Sequence, residues 1–122
     1  MLNFFHHTAF DKEAAKLKRR FVNIEEGINA FKRLCEKQFH PLSPQQVLSP
    51  GKIHRVSQTA VWTLWKVELV LPKSGLRPNQ FPRMWFAVKG AEIALLVIAS
   101  HMDNYRDNDM DDLALSRVND FF

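Results

Sequence analysis

A chain of 122 residues, 46% hydrophobic and 25% charged, with three Trp and ten Phe, suits one domain burying about two-thirds of its unfolded surface, which excludes disordered and collagen-like classes. Its longest apolar run, Ala91 to Ala99, is interrupted by Glu92 and is far shorter than the roughly 20 residues of a membrane span; with no signal-peptide pattern and a single cysteine, Cys35, the expected compartment is the cytoplasm. The net charge of +4 is unevenly spread, residues 1–100 holding 15 Lys/Arg against 7 Asp/Glu and residues 101–122 holding 2 against 6, a balance compatible with a polyanionic partner and equally with solubility alone.

The opening Leu2 to Thr8 reads as a strand or strand-like arm. Thr8, three residues before Asp11, gives an N-cap signal, and Phe10, Ala14, Leu17 and Phe21 then recur at helical spacing. Asn23 followed by Glu26 repeats the signal, with Ile24, Ile28, Phe31, Leu34 and Cys35 marking the apolar face of a second helix running to about Phe39. The short connection predicts an antiparallel helix hairpin. Pro41, Pro44 and Pro50 end it, so residues 40–52 are a loop.

The period then changes from helical to two. Val61, Thr63, Trp65, Val67, Leu69 and Leu71 alternate with Trp62, Leu64, Lys66, Glu68 and Val70 in a predicted strand. Residues 72–82 form a long loop. Met84 to Val88 and Ile93 to Ala99 form a hairpin across Lys89, Gly90 and Ala91, where Gly90 can take positive φ. Asp107, Asn108 and Asp109 precede Met110, Leu113, Ala114 and Val118 in a final helix, the acidic cluster being favourable at a helix N-terminus. The expected class is α+β: an N-terminal strand and helix hairpin packed on one face of an antiparallel sheet, with a C-terminal helix, in a single domain over residues 1–122.

No Cys pair or His-x-x-x-His helix suggests a metal site, no cofactor motif is present, and dinucleotide, P-loop and serine-hydrolase patterns are missing. Cys35 on an apolar helical face reads as core, and adjacent His6 and His7 read as surface residues. His54 and Arg55 lie where the loop enters the sheet and could contact phosphate, although an exposed pair at a strand start fits equally. Trp62 and Trp85 could stack on bases, sheet packing being the commoner fate. Residues 100–106 place His101, Tyr105 and Arg106 just after a buried strand, where a rigid mount leaves reactive groups exposed. His101 has the side chain best suited to proton transfer near neutrality. A polar strand end with Tyr105 anchoring the last helix fits the same residues. Counting outward from the Gly90 turn places Arg83 opposite residues 96–98, on the way to His101.

The order of elements, with residues 5–17 (FHHTAFDKEAAKL), 22–28 (VNIEEGI), the hairpin of residues 82–101 (PRMWFAVKGAEIALLVIASH) and Tyr105, resembles the RelE/ParE superfamily of bacterial toxins. The resemblance implies a toxin of a type II toxin–antitoxin system: a metal-independent endoribonuclease that cuts mRNA, usually on the ribosome, and is held inactive by a cognate antitoxin. It assigns Arg83 and Lys66 to phosphate stabilisation and His101 with Tyr105 to proton transfer or orientation, with Glu68 a candidate base; beside these, His54, Arg55 and Arg106 are the candidate nucleic-acid contacts read from their positions. The chain departs from the family in carrying Glu68 where many nucleases are basic, in its long loop 72–82, and in a longer apolar C-terminal helix that could cover the site or mediate homodimerisation. The alternatives are a ParE-like gyrase-binding toxin and a non-catalytic interaction protein of the same fold.

Overall fold

The computed structural model describes residues 2–49, 51–100 and 103–122. In chain order these form β1 (Asn3–His6), α1 (Thr8–Leu17), α2 (Ile24–Gln38), β2 (Ile53–Gln58), β3 (Thr63–Glu68), a 3-10 turn (Pro78–Gln80), β4 (Arg83–Lys89), β5 (Glu92–Ala99) and α3 (Asp107–Val118). The α+β class agrees with the sequence. The sheet has the order β1-β5-β4-β3-β2 and is mixed rather than antiparallel, because β1 pairs in parallel with β5, Asn3 facing Glu92 and His6 facing Leu95. A parallel neighbour needs a long crossover, and α1, α2 and the three later strands supply it.

Helix α1 starts from His7, not Thr8. The His7 N–H still donates to Leu95 O at 2.9 Å, which keeps that residue extended at the end of the β1 ladder. Its imidazole Nδ1 then accepts from the Ala9 N–H at 3.1 Å, taking the capping role expected of Thr8. The helix stops at Leu17, whose carbonyl accepts from both Arg20 and Phe21; Phe21 remains in the core from the following turn. Asn23 is the N-cap residue of α2 as expected, but its side chain donates to Pro72 O at 3.1 Å and ties the helix to the far end of the sheet.

The predicted strand 61–71 is trimmed at both ends. Thr59 Oγ1 accepts from the Val61 and Trp62 amides, closing a turn before Thr63. The strand ends at Glu68, although the Leu69 N–H still donates to Pro82 O at 2.8 Å and Leu69 and Leu71 stay buried. Strand β2 extends the sheet beyond β3, with an irregularity between Arg55 and Ser57. The hairpin turn holds Gly90 at φ +57°, the geometry that favours glycine at the first position of a two-residue loop. Loop 72–82 is ordered by the Ser74 hydroxyl, which donates to Leu71 O at 2.9 Å, and by buried Phe81.

Arg83 faces Ala99, just past the expected residues 96–98, because the β4–β5 register shifts between Trp85 and Phe86. Trp85 pairs with Val97 and Phe86 with Leu95, so Leu96 is the additional residue of a bulge. Strand alternation then separates two cores. Met84, Phe86, Ile93, Leu95 and Ile98 pack with Phe10, Leu17, Ile28 and Phe31 from α1 and α2. Trp85, Ala87, Ala94, Leu96, Val97 and Ala99 pack with Ala114 and Val118 of α3. The helices therefore cover both faces, correcting the one-face expectation, and this explains why β4 and β5 are apolar on both sides.

Candidate functional site

Cross-strand neighbours in an antiparallel pair point to the same face. Lys66 on β3 faces Trp85 on β4 and His54 on β2, and Glu68 faces Arg83. The register thus places His54, Lys66, Glu68, Arg83 and Trp85 on the face that α3 covers. Arg55 faces Trp65, whose side chain packs against the other core, so Arg55 belongs to the opposite face; its guanidinium donates to Gln58 Oε1 at 2.8 Å. Arg106 is the exposed N-cap residue of α3. His101, the proposed proton carrier, lies outside the described residues, and the candidate site is built without it.

The N-terminal half of α3 meets the two cations directly. Arg83 Nη1 donates to both Asp107 oxygens at 3.0 Å. Lys66 Nζ is 3.9 Å from Asp107 Oδ2 and 3.5 Å from Asp111 Oδ1. Asp111, one turn after Asp107, also accepts from the Trp85 indole N–H at 2.8 Å. Lys66 and Arg83 side chains are 20% and 21% exposed and Asp107 is 53% exposed, so these are partly solvated pairs contributing about 0.2–1 kcal/mol each. Their value is geometric: one carboxylate lies within reach of an ammonium and a guanidinium, the pair best suited to hold an oxyanion.

Tyr105 borders this edge with its hydroxyl oxygen buried, not exposed as its place after the strand suggested. Asn104 sits at φ +51°, a region that asparagine tolerates better than most residues, and the ring of Tyr105 then stacks edge-on against Trp85 with centroids 6.0 Å apart. Burial pushes the phenol pKa up; Asp107, Asp103 and Asp111 add to the rise and Arg83 opposes it. At neutral pH the group is a proton or hydrogen-bond donor, not a base. Among the described residues no group of three or more His, Cys, Asp or Glu is placed to hold a metal ion.

Three residues here were not legible as site residues. Asp107 reads from sequence as a helix-terminus acid, Asp111 carries no signal of its own, and Trp85 reads as sheet packing or a base-stacking surface; only the placement of α3 on this face brings them to the cations. An i, i+4 acidic pair on a helix, in a tail of opposite charge to the body, is the signal that could have suggested it. On the other side of the sheet lies an apolar groove of about 340 Å³ lined by Gly27, Ala30, Leu34, Val47, Leu48 and Val70. No helix among the described residues is long and apolar enough to cross a membrane. No family model, curated protein or solved structure matches the chain.

Proposed function

We propose that the chain is a RelE/ParE-like toxin of a type II toxin–antitoxin system, acting in the cytoplasm as an mRNA endoribonuclease that needs neither metal nor cofactor and restrained by a cognate antitoxin. The observation that carries this reading is the Asp107 carboxylate lying within reach of both Arg83 and Lys66. A position that accepts one carboxylate from two cations can accept the non-bridging oxygens of one phosphodiester. The α+β class of the fold, with a strand and two helices ahead of the later strands and a final helix, is compatible with the same reading.

In the proposed reaction a ribose 2′-oxygen attacks the adjacent phosphorus and the bond to the 5′-oxygen breaks. Products are a 2′,3′-cyclic phosphate and a 5′-hydroxyl. Arg83 and Lys66 stabilise the charge that accumulates on the phosphorane. Glu68, opposite Arg83 in the register, takes the 2′-hydroxyl proton, and Tyr105 gives its proton to the leaving oxygen. His54, one strand further along the same face, contacts a flanking phosphate in this proposal.

The test is cleavage of an RNA oligonucleotide by purified protein, with Lys66→Ala and Arg83→Ala each expected to slow it about 100-fold or more. Cleavage unaffected by either substitution overturns the assignment. Growth arrest on induction without RNA cleavage favours the gyrase-binding alternative. The non-catalytic alternative draws on one specific observation: both cations already have carboxylate partners within the chain.

A further inference from the structure

The segment that follows β5 is acidic on balance, residues 101–122 holding 6 Asp/Glu against 2 Lys/Arg, and its helix lies over Lys66 and Arg83 of the sheet. Its two halves are held differently. At the C-terminal end Ala114 and Val118 are fully buried, Phe121 packs on Phe5 at 6.0 Å, and His7 Nε2 lies 2.6 Å from Asp120. At the N-terminal end Asp107, Asn108 and Asp109 are exposed, and the N-cap residue Arg106 makes no side-chain capping bond. Met110 and Tyr105 pack partly buried beside this end, and the contacts of its acidic residues with the sheet are polar: Asp107 on Arg83, and Asp111 on Lys66 and the Trp85 indole.

Resting on the nuclease reading above, we infer that the first turns of α3 form an intramolecular competitor of the RNA backbone: Asp107 and Asp111 occupy the phosphate position on Lys66 and Arg83, and substrate binds by displacing them. A carboxylate and a phosphodiester offer the same pair of negative oxygens to a guanidinium, so only one can be seated at a time. The apolar anchor at Ala114 and Val118 lets the acidic end exchange while the helix stays attached. The substrate class follows as nucleic acid contacted through its phosphates, and the acidic end sets the salt concentration at which it enters.

The experiment uses the full chain and a fluorescently labelled 2′-O-methyl oligonucleotide, which has no 2′-hydroxyl and cannot be cleaved, with binding followed by anisotropy across a salt series. Asp107→Asn/Asp111→Asn is expected to bind at least ten-fold more tightly, with a steeper dependence of log affinity on log salt. The control Asp109→Asn/Asp112→Asn removes the same charge from exposed positions on the same helix and is expected to bind less than three-fold more tightly. Adding Lys66→Ala and Arg83→Ala to the first variant should abolish its gain. Equal gains in both double variants reduce the effect to net charge and overturn the inference. If the first variant binds no better while Lys66→Ala and Arg83→Ala weaken the parent, the phosphate reading stands and the competition is overturned. If no variant binds at all, the phosphate reading and the inference fall together. Should the double variant not fold by thermal melting, Asp107→Asn alone, which leaves Asp111 on Trp85, carries the same comparison with at least a three-fold gain expected.

Discussion

Arg117 and Glu13 form a clamp across the open edge of β5. Both terminal nitrogens of Arg117 donate to the two Glu13 oxygens at 2.9 Å, and Arg117 Nη1 also donates to Leu96 O at 2.7 Å. Glu13 Oε1 in turn accepts from the Ile98 N–H at 3.3 Å. Strand β1 ends at His6 opposite Leu95, so the backbone beyond has no strand partner on that side, and the ion pair takes its place. One residue comes from α1 and the other from α3, which pins the helices of both faces to the bulge.

The consequence is an asymmetric cost. Arg117→Met keeps the stem but leaves Leu96 O without that donor and the buried side of Glu13 with the Ile98 N–H alone, and should destabilise the chain by about 2 kcal/mol, the range for hydrogen bonds to a charged group. Glu13→Gln should cost less, because an amide still accepts from Ile98. Urea denaturation of both single variants and the double variant measures the coupling; additive losses would mean that the two residues do not act as a pair.

Gly27 reports on how closely α2 lies against the end of the sheet. A Cβ added there would stand 2.7 Å from Leu71 Cδ2 and 3.1 Å from Val70 O, one a side chain that can turn and the other backbone that cannot. Alanine ordinarily gains about 1 kcal/mol over glycine inside a helix, while overpacking costs about 1–3 kcal/mol. Gly27→Ala should therefore be destabilising overall and lower the melting temperature, whereas Gly51→Ala, with nothing within 4 Å, should leave it within a degree or two. A rise for Gly27→Ala would show that α2 moves away without penalty.

The sequence made most elements legible because their signals are local. Helical spacing marked α1 and α2, Gly90 marked the hairpin, and the acidic cluster marked the start of α3. What was hidden depends on contacts distant in the chain. The parallel seat of β1 requires knowing where β5 lies. The Leu96 bulge has no glycine or proline to announce it, and it carries Arg83 one position along. The low amphipathicity of α3 concealed which face of the sheet it covers, and with it the roles of Asp107, Asp111 and Arg117. Strand β2 was visible only as a strand start at His54 and Arg55, since its exposed alternation lacks a buried face. Of the proposed site, Lys66, Glu68, Arg83, Tyr105 and His54 lie on or border one face, and Arg55 does not.

Two groups make stability fall in alkali. Burial, with a lesser push from Glu36, raises the Cys35 thiol far above its ordinary 9.0, and burial with nearby carboxylates raises Tyr105 above 10.0. In each case the unfolded chain loses its proton first. Their contribution is fully present below pH 9 and is lost as the pH climbs through 9.0 and 10.0 toward the folded values, with a slope of at most about 1.4 kcal/mol per pH unit per group. Tyr105 is the chain's one tyrosine, so phenolate absorbance titrates it alone. Its midpoint should lie above 10.0, and Tyr105→Phe should lose less stability than the parent between pH 10 and 11; a midpoint at or below the ordinary value would remove Tyr105 from its buried place against Trp85.

The same raised pKa defines a chemical test of Tyr105 as the acid. A group that stays protonated past pH 10 can donate throughout the neutral range, and the proton matters in proportion to how poor the leaving oxygen is. A ribose 5′-alkoxide leaves badly and needs it, while a nitrophenolate leaves without help. With an RNA dinucleotide, Tyr105→Phe should therefore lower kcat by about 100-fold or more. With a uridine 3′-nitrophenyl phosphate, which keeps the 2′-hydroxyl nucleophile and the phosphate, the same variant should fall by only a few-fold, whereas Arg83→Ala should be impaired on both because the developing phosphorane charge is common to them. Equal impairment of Tyr105→Phe on the two substrates would assign the ring a packing role against Trp85 and move the proton transfer elsewhere.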